Sequence, residues 1–416
     1  MHLKILNYEY FLARRIIKNK SYKSSVSSPI IKIGIAAIAI SIIVMLIAIA
    51  TGFGLEKKIR DKAVAFSGHI TISNFDSNES EGGHVPILKT QKFYPKFKSI
   101  SGISHIQAVA NKFGVIRTST DFEGLFLKGV GSDYDWHYFK DFLVEGRLPN
   151  YSTNYSSEVL VSSYLADRLG FVTGDSFQMY FIKPDPSKAP SIMKYDVVGI
   201  FNSGFEELDK TYIIGDINHV QRLNKWTKDQ IGNFEVFVSN FNELDRIGSQ
   251  VYSQTPSTLN SVTVKQKYAT IFEWIPIFTT NIYIILMIMI FVGAINMITA
   301  LLVLILERTQ MIGILKSLGS SNFSIRKLFL YNASYLIICG LFWGNLIGLG
   351  ILLIQRKFQF LTLDPSVYYV TVAPVYLDWT YVILLNLMTF VLCFLMLLIP
   401  SFLISKISPV KAINFN

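Results

Sequence analysis

The sequence predicts a membrane protein: four transmembrane α-helices plus one large α+β domain outside the cytoplasm. Three observations predict it. Of the 416 residues, 51% are hydrophobic, more than a soluble chain of this length usually carries. The excess is gathered into four windows long enough and charge-poor enough to cross a bilayer. The segment between the first two windows has the mixed charge and turn punctuation of a globular domain.

The first window runs from Ile30 to Phe53, with Lys32 as its only charge. It is too long for a signal peptide, and no small-residue cleavage pattern follows, so it reads as a retained anchor over 30–54. The pattern then turns amphipathic, and 55–66 is expected to continue as a helical stalk. The second window runs from Trp274 to Leu306 without a charge. At 1.5 Å per residue it is about 50 Å long, against a hydrocarbon core of about 30 Å. The segment 269–306 is therefore expected to hold a second stalk and a span. A span that ends or kinks near Pro276 is the alternative. The third and fourth spans are expected over 328–354 and 379–405, joined by a short outer loop over 355–378.

Charge sets the orientation. Residues 55–273 hold 24 Lys+Arg and 25 Asp+Glu, a net −1, whereas the rest holds 15 and 4, a net +11. A nucleic-acid partner would put the excess on the soluble domain, so none is expected. Cytoplasmic loops are enriched in Lys and Arg. The N-terminal elbow (1–29), the 307–327 connection and the tail (406–416) are all basic, which puts both termini in the cytoplasm and the 67–268 domain outside. Arg356 and Lys357, in the outer loop, are the exception.

Within 67–268, β-type runs at 69–73, 114–118, 177–181, 195–199, 211–214 and 234–238 alternate with helical stretches at 164–169, 217–225 and 241–254. This mixture predicts an α+β domain in one or two lobes. Asn74–Pro86 reads as a loop. Pro184, Pro186 and Pro190 cannot sit inside a central strand and predict a protruding tip, either a surface loop without a partner or a stiffened docking hook.

No phosphate loop, H-E-x-x-H, G-x-S-x-G or C-x-x-C motif occurs. His2, His69, His84, His105, His137 and His219 lack ligand spacing, Asp133–His137 reads as a turn, and Cys339 and Cys393 lie inside apolar windows. No catalytic or metal residue is therefore assigned. The spans lack an acidic relay. Asn281, Asn296 and Asn345 are expected to bond neighbouring helices. Energy for any work is expected from a partner.

Residues 307–330 read ERTQMIGILKSLGSSNFSIRKLFL. This resembles the E-R-x-x-x-I-G-x-L-(K/R)-x-L-G pattern of the FtsX-like permeases of ATP-binding cassette (ABC) systems. Ile312, Leu315 and Leu318 recur at three-residue steps and predict a short amphipathic helix closed by Gly319. The resemblance covers nearly the whole chain. Residues 10–15 (YFLARR) and 52–56 (GFGLE) look like the start of the lipoprotein-releasing LolC/LolE branch. Leu127–Val130, Glu145–Pro149 and Leu169–Asp175 resemble the external domain that this branch shares with MacB. The end, from Pro400 to Ile413, is similar to the family's closing pattern.

The resemblance implies that Glu307, Arg308, Met311, Ile312, Gly313, Leu315, Lys316, Leu318 and Gly319 couple the chain to a separate ABC ATPase (LolD-like) subunit. ATP and magnesium would bind that subunit, with no cofactor on this chain and no enzyme activity of its own. It further implies an inner-membrane location, a second permease subunit, a lipoprotein cargo, membrane lipid, and a periplasmic LolA-like carrier docking at the proline loop. Acyl chains would enter between spans one and two of paired subunits. A MacB-type exporter subunit and an FtsX-like regulator of cell-wall hydrolases stay open as other roles.

Overall fold

The computed structural model describes residues 27–77, 85–118, 121–151, 155–183, 187–364 and 368–406, together with 9, 11 and 15. The elbow expected over 1–29 and the tail over 406–416 fall almost wholly outside these residues. So do Pro184, Pro186 and most of the loop over Asn74–Pro86. The chain forms two compact units: one comprises 1–55, 275–361 and 372–416, the other 56–274 and 362–371.

Helix α1 (Ser27–Ser67) carries the first apolar window and runs unbroken into the soluble unit. There follow β1 (Ile70–Asn74), β2 (Ile87–Leu88), β3 (Ile103–Arg117), β4 (Phe122–Val130), α2 (His137–Phe142), β5 (Leu143–Gly146) and β6 (Glu158–Ser162). Next come α3 (Ser163–Leu169), β7 (Ser176–Phe181), β8 (Ser191–Phe201), α4 (Glu206–Thr211), β9 (Tyr212–Asp216) and α5 (Ile217–Asn224). The last are β10 (Gln230–Ile231), β11 (Asn233–Val238), α6 (Leu244–Gln254), β12 (Leu259–Thr263) and α7 (Val264–Lys267).

Ten strands form one mixed sheet in the order β12-β1-β11-β3-β4-β9-β6-β8-β5, with β7 pairing β3 and β8. A separate two-stranded sheet pairs β10 with β2. Side chains alternate across a strand. Ile70 and Ile72 of β1, Ala108 and Ala110 of β3, and Phe234 and Val236 of β11 therefore share the face that packs with Val220 of α5 and Leu244, Ile247 and Val251 of α6.

The opposite face is different. It buries Gln107, Lys128 and Glu235, each under 3% exposed. Lys128 Nζ donates to Glu235 Oε1 at 2.5 Å and to the Phe66 carbonyl at 2.6 Å. Gln107 donates to Glu235 Oε2 at 2.7 Å. The ammonium thus satisfies a carbonyl in the last turn of α1, where a positive charge also favours the helix dipole. Phe66 itself sits among Phe139, Tyr212 and Phe201, with ring centroids 5.3, 5.9 and 6.1 Å away. The Asp133–His137 turn is tied in by its aspartate, which accepts from Tyr94 Oη and the Ala108 amide, each at 2.9 Å.

Part of the outer loop belongs to this unit. Lys62 donates to the Tyr369 carbonyl at 2.8 Å, and Phe205 meets the Tyr369 ring edge-on at 5.0 Å. Burial pushes the Asp209 carboxyl up to about 6, against opposing hydrogen bonds from Ser203 and the charge of Lys62.

In the membrane unit, α8 (Ala269–Glu307), α9 (Thr309–Ser317), α10 (Asn322–Phe358), α11 (Trp379–Ser401) and α12 (Leu403–Lys406) complete the chain. Among the described residues, four helices, α1, α8, α10 and α11 with α12, are long and apolar enough to span a bilayer. Pro276 lies inside α8 without ending it. Gly340, Gly344 and Gly348 form a stripe on α10. A Cβ on them would lie 2.7, 2.7 and 3.0 Å from Ile38, Ile42 and Leu46 of α1. Helices in lipid gain little from hydrophobic exclusion, so such close backbone approach supplies the packing. Asn345 and Asn386 exchange side-chain hydrogen bonds at 2.6 and 3.0 Å between α10 and α11. Asn296 instead bonds the Val292 carbonyl of its own helix.

Candidate functional site

The resemblance pointed to residues 307–319, and the structure distributes them over a turn between two helices. Glu307 ends α8, Arg308 lies in the break, and α9 follows. Ile312 and Gly313 are buried, and Met311 and Leu315 pack on the membrane-unit core. Lys316 donates to the Ile404 carbonyl of α12 at 2.7 Å. Burial and the Arg326 guanidinium hold the Lys316 ammonium below its usual range.

Gly319 closes α9 at φ +89°. Its amide bonds the Lys316 carbonyl and the Ser320 amide bonds the Leu315 carbonyl, each at 3.0 Å. This left-handed cap satisfies carbonyls that the helix end would leave open.

Leu318 corrects the expected amphipathic face. It is 78% exposed, whereas Ile312 is fully buried. Steps of three fall short of a 3.6-residue turn, so the third position has rotated about 120° off the buried face. The outward stripe is instead Leu306, Gln310, Ile314 and Leu318, spaced by four. Three of these four are exposed apolar residues. Ile314 belongs to this surface and was missed. Counting steps of four from Leu318 would have found it.

A second feature lies in the apolar part of the same unit. A cavity of about 470 Å³ is lined by α1, α8 and α11, through residues such as Ile49, Phe53, Met287, Phe291, Tyr381 and Met388. Phe53 stacks on Tyr381 with centroids 5.0 Å apart. One residue earlier, Gly52 meets Ile282 of α8 so closely that an added Cβ would lie 2.1 Å from its Cδ1. The 52–56 segment thus has a local role: its glycine lets α8 approach, and its phenylalanine walls the cavity. The cavity joins the first, second and fourth spans.

Of the proline loop, Pro190 is exposed and immediately precedes β8. The loop joins β7 to β8, which pair from Phe181 and Ser191 inward. Ile182 and Ile192 beside it are 61% and 55% exposed. Among the described residues, no group of three or more His, Cys, Asp or Glu could hold a metal ion.

Residues 283–409 match the FtsX-like permease C-terminal family. The chain is 22% identical over 404 residues to the lipoprotein-releasing system transmembrane protein LolC of Xylella fastidiosa, covering 92% of this chain and 93% of that protein. It is 21% identical to LolE of Haemophilus influenzae, covering 98% and 100%. The periplasmic region of MacB from Actinobacillus actinomycetemcomitans aligns with 49% of this chain and 91% of its own, at 14% identity and a TM-score of 0.34. The C-terminal match lies over the last three spans, and the LolC and LolE matches run nearly end to end: the chain is similar to the FtsX-like permeases and, over its whole length, to their LolC/LolE branch.

Proposed function

We propose that this chain is the membrane subunit of an ATP-driven complex that releases lipoproteins from the inner membrane toward a periplasmic carrier. The observation that carries this reading is the apolar cavity between α1, α8 and α11. Its volume suits a small-molecule site. Its nearly unbroken apolar lining suits acyl chains, since any polar cargo group would go unsatisfied there. The end-to-end similarity to LolC and LolE proteins supports the same cargo.

The chain pairs with a second permease subunit, itself or a paralogue. Each copy offers the outward stripe of Leu306, Ile314 and Leu318 to a separate ATPase subunit that holds ATP and magnesium. The basic N-terminal segment, 307–327 connection and tail support a cytoplasmic contact and a periplasmic large domain. The loop ending at Pro190 docks the carrier.

The test is purification of the complex with its partners from membranes. Lipoprotein and an ATPase subunit should co-purify. Met388→Trp, which fills the cavity, should lower bound lipoprotein while leaving the ATPase attached. Ile314→Asp should detach the ATPase while leaving lipoprotein bound. Full lipoprotein occupancy in Met388→Trp would overturn the reading.

A further inference from the structure

Among the described residues, the polar face of the soluble unit's sheet is not fully covered. Over β12, β1, β11 and β3 it floors a second cavity, of about 460 Å³, that lies wholly within this unit. Strand register builds it. Thr71 pairs with Glu235 on one side and Val262 on the other, and Ser73 likewise with Asn233 and Asn260. Side chains at every second position then point the same way.

The lining has a definite chemistry. Five carboxamides converge there, from Asn74, Asn111, Asn233, Asn260 and Gln266, with the hydroxyls of Thr71, Ser73 and Ser77. The one carboxylate, Glu235, has both oxygens engaged by Lys128 and Gln107. The sheet floor is therefore polar with its one carboxylate already engaged, and the one ammonium of the lining, Lys267, lies over the Tyr268 ring. Two of the lining atoms, Asn111 Oδ1 and Ser77 Oγ, are buried without a hydrogen-bond partner. A buried acceptor left unmatched is costly, so a ligand that donates to it gains affinity.

A carboxamide presents donors and an acceptor in one plane, as a peptide bond does. A sugar would need a free aromatic face to stack on. Phe66 is only 3% exposed, and the Lys267 ammonium lies over the Tyr268 ring at 5.6 Å. We infer that this cavity binds an extended, uncharged stretch of polypeptide.

Resting on the proposed function, that stretch is the part of the cargo just beyond its lipid anchor.

The experiment places a photo-crosslinking amino acid at half-buried Asn260 of the full-length chain, in its complex in nanodiscs. The probes are an uncharged ten-residue peptide of Ser, Gly and Asn and the same peptide with N-terminal palmitoyl chains. Both should crosslink. The yield should fall about threefold to tenfold in Asn111→Leu, the loss of one hydrogen bond, and in Val262→Arg, which fills the rim without touching Asn111.

No crosslink, yields unchanged by both variants, or competition by a chito-oligosaccharide but not by unlabelled peptide would overturn the inference. Crosslinking of both peptides with no gain from the acyl chains would support the cavity and overturn the lipoprotein reading. Acyl-dependent retention with no crosslink at Asn260 would do the reverse.

Discussion

The two units bury polar groups by opposite means. The membrane unit relies on backbone proximity: the Gly340–Gly344–Gly348 stripe brings α10 against α1, and a neutral Asn345–Asn386 pair joins α10 to α11. The soluble unit buries a full ion pair, Lys128 with Glu235, and uses it to hold the end of α1. In lipid, shape does the work that hydrophobic exclusion does in water. In the soluble unit a buried charge pair specifies register at a desolvation cost. One helix, α1, is held in both ways at different points of its length.

The largest expected effect comes from breaking the ion pair on one side. Lys128→Met leaves Glu235 buried and uncompensated, and should destabilise the soluble unit by about 3–5 kcal/mol. The double variant Lys128→Met/Glu235→Leu should recover much of that loss. Thermal melts of the full-length protein in detergent give the comparison. A double variant no better than the single would show that the aromatic packing around Phe66, and not the charge pair, holds α1.

The membrane side breaks by volume. Gly344→Leu adds a side chain where a Cβ alone would lie 2.7 Å from Ile42 Cβ and 2.9 Å from the Ala39 carbonyl oxygen. Overpacking costs about 1–3 kcal/mol. The variant should lower the yield of monodisperse protein, while Gly350→Leu, with nothing within 4 Å, should be tolerated. Equal yields would remove the glycine stripe from the account.

These contrasts explain what the sequence discloses. The four apolar windows are legible because lipid demands an unbroken run in each. Strands such as Phe234–Val238 are legible because their residues are strong β-formers. β3 is legible only at its end. Asn111 and Lys112 interrupt the apolar pattern, since that strand borders a polar cavity and not a second core. The Lys128–Glu235 pair joins residues 107 positions apart, a spacing no local pattern encodes. The glycine stripe was legible in principle, because small residues at every fourth position of a span mark a packing face. The buried side of α9 could be found from periodicity, but its outward stripe required the steps to be taken at four.

Gly319→Ala sharpens the comparison at the surface of the membrane unit. At φ +89° an added Cβ meets nothing within 4 Å, so its cost is backbone strain alone, about 1–2 kcal/mol. The fold should persist while the α9 cap loosens. ATP hydrolysis in the purified complex should continue, with less lipoprotein released per ATP. Unchanged release per ATP would remove the cap from the coupling role.

The smallest effect is electrostatic and belongs to the soluble unit alone. Asp209 binds its proton more tightly in the folded state, at about 6 against 3.8. Its contribution to stability is complete below about pH 4 and is lost as pH rises through about 6. Asn at this position still accepts from Ser203, which donates at 2.6 Å, but carries no charge to desolvate. Asp209→Asn should therefore flatten the stability curve between about pH 4 and 6 and raise the melting temperature near pH 7 by about 2 °C. An unchanged slope between about pH 4 and 6 with a lower melting temperature near pH 7 in the variant would mean that the Lys62 ammonium outweighs burial there. The charge near Tyr369 would then be a true ion pair, like that of Lys128 and Glu235.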